Sequence, residues 1–516
     1  MTIVVVTPAT NGPAMIGVTE WSCCDRVGGA GRAARDQPSP IDALQYRIRT
    51  MVSRREFLTA LAAAAAPLPQ IERFTRRGPE QRVIVIGAGL AGLCAAYELQ
   101  ALGHAVTVVE AQIRPGGRVR TLREPFAPGV HVEAGAEQIP GAHEITQHYA
   151  RLLGLTLLPN RTVGTRLMYY VRGERIVSDA NARWPFAMSD EERALGLTGL
   201  FRKYVDEDIA RAQAEFPQHA VRALSELDRH TPGAWLRSRG ASAPAAELIT
   251  LGFGTEFGSA ASFVLHAVNS RGSAQNYRID GGNDRLAREL ATRVDVKYGV
   301  AVVAVRQDDR GVEIVTRRNG AAETLRGERA VFTLPCPAVG RILDQARLSP
   351  AKQRAIREQH YSRTVKVFLQ SRTRFWLKDG WSGFVETDLP IERLTPDPGV
   401  DPGARGVLAA YPIGAYTAQL EQLSEEDRVA AARDQATQMF PALRAECEGG
   451  LSHCWGLDPW ERGSFALHTP GQIGFIDTLA AAEGRIHFAG EHTSPWTGWM
   501  QGALESARRV VGEINA

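Results

Sequence analysis

The chain has 516 residues, too many for a single core, so two or three domains are expected. Hydrophobic residues make up 44% and charged residues 23%, which excludes a largely disordered or fibrous protein. Sixty basic residues stand against 57 acidic ones, a net charge of +3 that leaves neither a nucleic-acid footprint nor a polybasic lipid anchor. No apolar run reaches the ~20 residues of a membrane-spanning helix, and fifty glycines fit an α/β enzyme better than a helical bundle.

Residues 1–50 carry scattered Gly, Pro and Arg without periodicity. Ser53-Arg54-Arg55-Glu56-Phe57-Leu58 then precedes the alanine-rich stretch Thr59 to Ala66. Paired arginines before a short apolar run read as an export signal, the alternative being a surface helix that happens to carry them. The pattern resembles the bacterial twin-arginine signal, with a small-residue cleavage site at Ala64-Ala65-Ala66. A signal starts close to its own Met, so Met51 is the expected start, residues 1–50 a mis-assigned or disordered extension, and residues 51–80 signal and linker. The resemblance implies a periplasmic or secreted protein, exported folded by the twin-arginine machinery.

Next comes the β-branched run Arg82 to Ile86, expected as a strand buried on both faces. Gly87-Ala88-Gly89-Leu90-Ala91-Gly92 follows, then a helical pattern over Leu93 to Leu102 and a second strand, Ala105 to Val109, ending at Glu110. In such a unit Gly87 permits the turn, Gly89 lets backbone approach a pyrophosphate, and Gly92 lets helix pack on strand. The helix N-terminus offers free N–H groups to phosphates, and Glu110 is placed for the adenosine ribose hydroxyls. NAD and FAD both fit that far. Arg114-Pro115-Gly116-Gly117-Arg118 favours FAD, because it resembles the Gly-Gly-Arg segment of glutathione-reductase-type flavoproteins.

At the far end, Arg485 to Thr493 (RIHFAGEHT) and Gly498 to Ser506 (GWMQGALES) resemble the C-terminal FAD segment of the flavin amine oxidases, a family of monoamine, polyamine and L-amino acid oxidases. The likeness runs from about Arg82 to the C-terminus. Its landmarks come in family order: Glu133-Ala134-Gly135-Ala136, Gly281-Gly282, Thr333-Leu334-Pro335, Lys366, and Trp455 to Phe465. It implies an α/β fold with a Rossmann-like, glutathione-reductase-type FAD domain assembled from residues 81–150, 280–345 and 484–516. An α+β substrate domain would comprise residues 151–279 and 346–483. The residues agree in outline: Ser189 to Leu236 reads mostly helical, Val365 to Leu369 and Gly406 to Tyr411 as strands.

Amine oxidation needs a hydride acceptor and a dry pocket, and no metal. The resemblance assigns Lys366 to a place near the flavin N5 through a water. Trp499 and Phe465 would form an aromatic pair facing the ring, with Trp455 in support. Gly87, Ala88, Gly89, Gly92, Glu110, Gly116, Gly117, Arg118, Gly135, Ala136, Val302, Gly490, Glu491, Gly498, Trp499 and Met500 would hold the cofactor, Glu491 at its ribityl chain. Ser464 stands where monoamine oxidases carry the cysteine that bonds the flavin, so non-covalent FAD is expected. The C-terminal membrane anchor of the monoamine oxidases is not expected after the FAD helix.

The substrate signals conflict. Venom-type L-amino acid oxidases clamp the substrate carboxylate with an arginine where this chain has Gln138, which favours a plain amine. Yet Gly490-Glu491-His492-Thr493 and Gly498-Trp499 look more like the amino acid oxidases, and an arginine such as Arg166 or Arg278 is available as a substitute. The leading expectation is an amine oxidase that reduces O2 to hydrogen peroxide. An L-amino acid oxidase, a dehydrogenase serving a periplasmic redox protein, and a non-catalytic flavoprotein remain open, as does a homodimer. Of six cysteines, Cys447 and Cys454 are close enough in sequence for a small disulfide, although two independent thiols are the simpler reading; no metal-ligand spacing is present.

Overall fold

The computed structural model describes residues 71, 73–160, 166–179, 182–251, 258–270, 275–397 and 405–516. The arginine pair and the cleavage site lie outside the described residues. Arg82–Ile86 forms the centre of a five-stranded parallel sheet in the order Val296–Tyr298, Ala105–Glu110, Arg82–Ile86, Arg329–Phe332, Ile486–Phe488. Strand alternation sends Val83 and Val85 to one face, where Leu93, Leu99, Leu504 and Val510 from the helices Leu90–Ala101 and Met500–Ile514 cover them. Ile84 and Ile86 point to the other face, against Val305 and Ile314 of the antiparallel strands Ala301–Gln307 and Val312–Arg318. Each of these side chains contributes about 1.5–3 kcal/mol of burial, which is why a continuous β-branched run is stable only at the sheet centre.

The first helix begins at Leu90, not at Leu93 as the periodicity suggests. Gly89 is its N-cap, with φ −72° and ψ 175°, and the Leu93 N–H already donates to the Gly89 carbonyl at 3.0 Å. Gly92 therefore lies in the first turn, where a Cβ would stand 2.0 Å from the Gly87 carbonyl oxygen.

A seven-stranded sheet packs alongside, in the order Cys447–Cys454, Val365–Ser371, Gly406–Ala410, Arg393–Pro396, Trp381–Thr387, Arg166–Val171, Glu174–Val177. The helical stretch read from the sequence divides into Asp190–Tyr204, Asp206–Glu215 and shorter turns, with Ala260–Ser270 crossing beneath. Ser189 and Glu192 form a capping box, and Glu192 also accepts from the Ser242 N–H and hydroxyl, which ties two helices together. Cys447 and Cys454 occupy opposite ends of one strand, about 23 Å apart by strand rise, and remain free thiols. Among the described residues no helix is long and apolar enough to cross a membrane.

Candidate active site

A single cavity of about 540 Å³ runs from the Gly87–Gly89 turn to Lys366, Phe465 and Trp499. At the turn, Glu110 accepts the Ala88 N–H at 2.7 Å and the Gln112 N–H at 2.8 Å, while lining the cavity. Ala88 and Gly92 do not face the cavity; they shape the turn from behind, and Gly92 does so by letting the helix close on Gly87. Gly89 differs: a Cβ there would meet nothing within 4 Å, because it would project into the cavity. Gly116 and Gly117 lie against Gly89, and Val302 and Met500 complete the wall. The open cradle, the helix N-terminus and the buried acid fit a dinucleotide.

Further along, Glu491 organises the junction. Its Oε1 accepts from Arg118 Nη1 at 2.6 Å and from the Ala466 N–H at 3.2 Å, and its Oε2 accepts the Gly498 N–H at 2.8 Å. Burial alone would raise its pKa, but Arg118 and these donors outweigh it and hold the carboxyl below the usual range. Arg118 also donates to the Ser464 carbonyl at 3.2 Å and lies 3.7 Å from Glu461. Gly490 is held in place by its N–H bond to Ser506.

The strand Val365–Ser371 buries Val365 and Val367 on one face and turns Lys366 toward the Glu133–Ala136 segment. The Lys366 ammonium donates to the Glu133 carbonyl (2.9 Å), the Gly135 carbonyl (3.0 Å) and Glu137 Oε2 (2.8 Å). Burial works against its proton; Glu137 and Tyr411 more than compensate, so Lys366 stays charged. All three ammonium protons are engaged, so a water-mediated contact to a ring requires one to be redirected. Trp455 donates to the Ala134 carbonyl at 2.8 Å and locks the same segment.

Phe465 pairs through its backbone with Ser362, and its ring lies against Gly498, one residue from Trp499. Trp499 meets His143 edge-on at 4.9 Å and stacks with His266 at 6.1 Å. The Ser464 hydroxyl lies 2.7 Å from the Thr364 hydroxyl and 2.9 Å from the Ser362 carbonyl. Gln138 faces the same space and accepts from Asn276 at 3.2 Å.

Neither arginine named as a substitute clamp reaches this cavity. Arg166 stacks over Trp381 at 4.2 Å and is not part of the cavity wall, and Arg278 lines a separate cavity with Arg123 and His131. Arg393 does reach it, beside Tyr411. Sequence reasoning missed it because Ile391-Glu392-Arg393-Leu394 carries no motif; its place comes from the sheet, where the Tyr411 N–H donates to the Arg393 carbonyl at 3.1 Å.

A parallel-sheet dinucleotide cradle that opens directly onto an aromatic pocket with a buried lysine defines a flavin-dependent oxidoreductase. The chain belongs to the family described as flavin containing amine oxidoreductase, whose profile matches residues 90–515, and it is an oxidoreductase acting on CH–NH2 groups. YobN of Bacillus subtilis (strain 168) is 30% identical over 468 residues, covering 84% of this chain and 95% of its own. The L-amino-acid oxidase of Siganus canaliculatus is 29% identical over 452 residues, covering 84% and 85%. A putrescine oxidase structure with putrescine bound superposes with a TM-score of 0.73 at 21% identity, over 86% of this chain and 99% of that one, which shows the shared fold.

Proposed function

We propose that the protein is an exported, non-covalent FAD amine oxidase that uses O2 as acceptor. The observation that carries this reading is the continuity of one cavity from the Gly87–Gly89 turn to Lys366, Phe465 and Trp499. A bound flavin would supply the acceptor for the hydride on the carbon bearing the amine; the imine so formed would be hydrolysed by water to a carbonyl compound and ammonia, with O2 taking the two electrons and two protons as hydrogen peroxide.

The chain's own residues supply the rest. Gly89, Gly116 and Gly117 would let backbone approach the pyrophosphate and Glu110 would receive the ribose hydroxyls, while Glu491 fixes Arg118 and the Gly498 turn in the cavity wall. Phe465 and Trp499 orient a neutral amine and strip its water. Lys366 places a fixed positive charge where negative charge accumulates on the reduced ring. Ser464, which cannot form the thioether of the monoamine oxidases, supports a non-covalent cofactor. Export rests on the Ser53-Arg54-Arg55-Glu56-Phe57-Leu58 pattern alone.

The test is stoichiometry in air with the full chain loaded with FAD. One ammonia and one peroxide per O2 consumed is expected. Turnover that needs a cytochrome, with slow reoxidation in air, identifies a dehydrogenase instead.

A further inference from the structure

The substrate end of the cavity has a cation whose counter-charge lies outside it. Arg393 opens the strand Arg393–Pro396, and its guanidinium lines the cavity together with Lys366, Tyr411 and His266. Its ion-pair partner, Glu386 at 3.3 Å, belongs to the neighbouring strand Trp381–Thr387 and is not part of the cavity wall. Lys366, by contrast, is compensated from within the cavity by Glu137. The Tyr411 ring stands between the two cations, 4.6 Å from Lys366 Nζ and 5.8 Å from the Arg393 guanidinium carbon. His266 adds no charge: its depth in the protein, and then Arg393, push its imidazole down to about 4. The wall facing a substrate here therefore carries Lys366 with its partner Glu137, and Arg393, whose partner Glu386 stands behind it, so the guanidinium is the charge that a substrate anion meets from the cavity side. Such a wall attracts a carboxylate and repels the second ammonium of a diamine.

We propose that Arg393, with the Tyr411 hydroxyl, is the specificity-determining group that holds the carboxylate of an amino acid substrate, supplying the charge that Gln138 lacks. The proposal rests on the reading that this cavity oxidises amines. Guanidinium geometry suits it, because a planar fork engages both carboxylate oxygens while its other edge stays on Glu386. Amino acids are then preferred over the amines formed from them by decarboxylation, which keep the side chain and lose only the anchored group.

The test uses full-length holoenzyme, wild type and Arg393→Met, with two readouts. The first is binding of benzoate, a carboxylate with no amine to oxidise, followed by the perturbation of the flavin spectrum. The second is anaerobic flavin reduction by L-phenylalanine and by 2-phenylethylamine. Wild type is expected to bind benzoate and to favour L-phenylalanine by about 100-fold; Arg393→Met loses about 100-fold in benzoate affinity, and its ratio of L-phenylalanine to 2-phenylethylamine efficiency falls by about 100-fold, toward one. Arg393→Lys, which keeps the charge but not the fork, falls in between and decides the matter if Arg393→Met does not fold. Unchanged benzoate affinity in the variants, or a wild-type preference for 2-phenylethylamine, overturns the proposal. If neither compound reduces the flavin, the amine-oxidation reading fails, while benzoate binding still decides whether Arg393 holds a carboxylate.

Discussion

Arg118 and Glu491 show how much one buried pair controls. Glu491 holds Arg118, the Phe465–Ala466 strand and the Gly498 turn at once, so its charge positions three cavity walls. Glu491→Gln keeps the shape but leaves the buried guanidinium with Glu461, at 3.7 Å, as its remaining counter-charge, at a cost of about 3 kcal/mol. The expected result is a fall of at least tenfold in FAD affinity, read by flavin fluorescence on titration of the apoprotein; unchanged affinity contradicts the assignment. Lys366 predicts a different pattern. If Lys366 acts as proposed, Lys366→Met is expected to retain FAD but to slow flavin reoxidation by O2 by about 100-fold in stopped flow, because the substitution removes the fixed positive charge from the cavity. Ser464 gives a third outcome: acid precipitation of the holoenzyme releases all flavin into the supernatant, whereas a covalent cofactor stays in the pellet.

At the scale of elements, the glycine turn separates two roles that the motif alone merges. A Cβ at residue 92 collides with the Gly87 carbonyl oxygen, while a Cβ at residue 89 meets open cavity. Gly92→Ala is therefore expected to destabilise the apoprotein by about 2–4 kcal/mol through forced separation of helix and strand. Gly89→Ala, at an unstrained φ of −72°, is expected to leave apoprotein melting unchanged and weaken FAD binding alone. Equal destabilisation of the apoprotein by both substitutions contradicts this division. The turn was legible in the sequence because strand, glycines, helix and Glu110 are local and each answers a steric demand. The start of the helix was misread because Leu90 and Ala91 lie within the glycine motif and hide the first turn. Lys366 stood out between two valines, whereas Arg393 and Tyr411 did not. Their neighbourhood is made by strand order, with Gly406–Ala410 lying between Val365–Ser371 and Arg393–Pro396, and no local pattern encodes that order.

For the whole molecule, buried ionisable groups set a pH profile. Burial pushes Glu133 up to about 8 and Glu461 up to about 7, so the native state holds protons that the unfolded chain releases above its ordinary carboxyl pKa. These two groups therefore withdraw stability as pH rises through those values, about 2 kcal/mol between pH 6.5 and 8, part of which the histidines offset. Burial holds His143, His266, His453, His468 and His492 down at about 4, so the unfolded chain takes up protons first as pH falls toward 6.5 and stability falls on acidification. The apoprotein is expected to melt highest near pH 7, with the acid side steepest around pH 5 and flattening below pH 4, where the histidines take up protons in the folded state as well. A melting temperature that climbs steadily from pH 7 to 8 contradicts the assignment of Glu133 and Glu461 as buried acids.

The central claim is that one cavity holds a flavin and oxidises a C–N bond. The most direct measurement is the anaerobic absorbance of the FAD-loaded protein at ~450 nm, the band of the oxidised flavin, with pooled amines in one cell and pooled L-amino acids in another. Excluding oxygen makes the result independent of the electron acceptor. Stoichiometric bleaching in at least one cell, larger with the amino acids, is the predicted result. A band that stays intact in both cells, with FAD bound, contradicts the account.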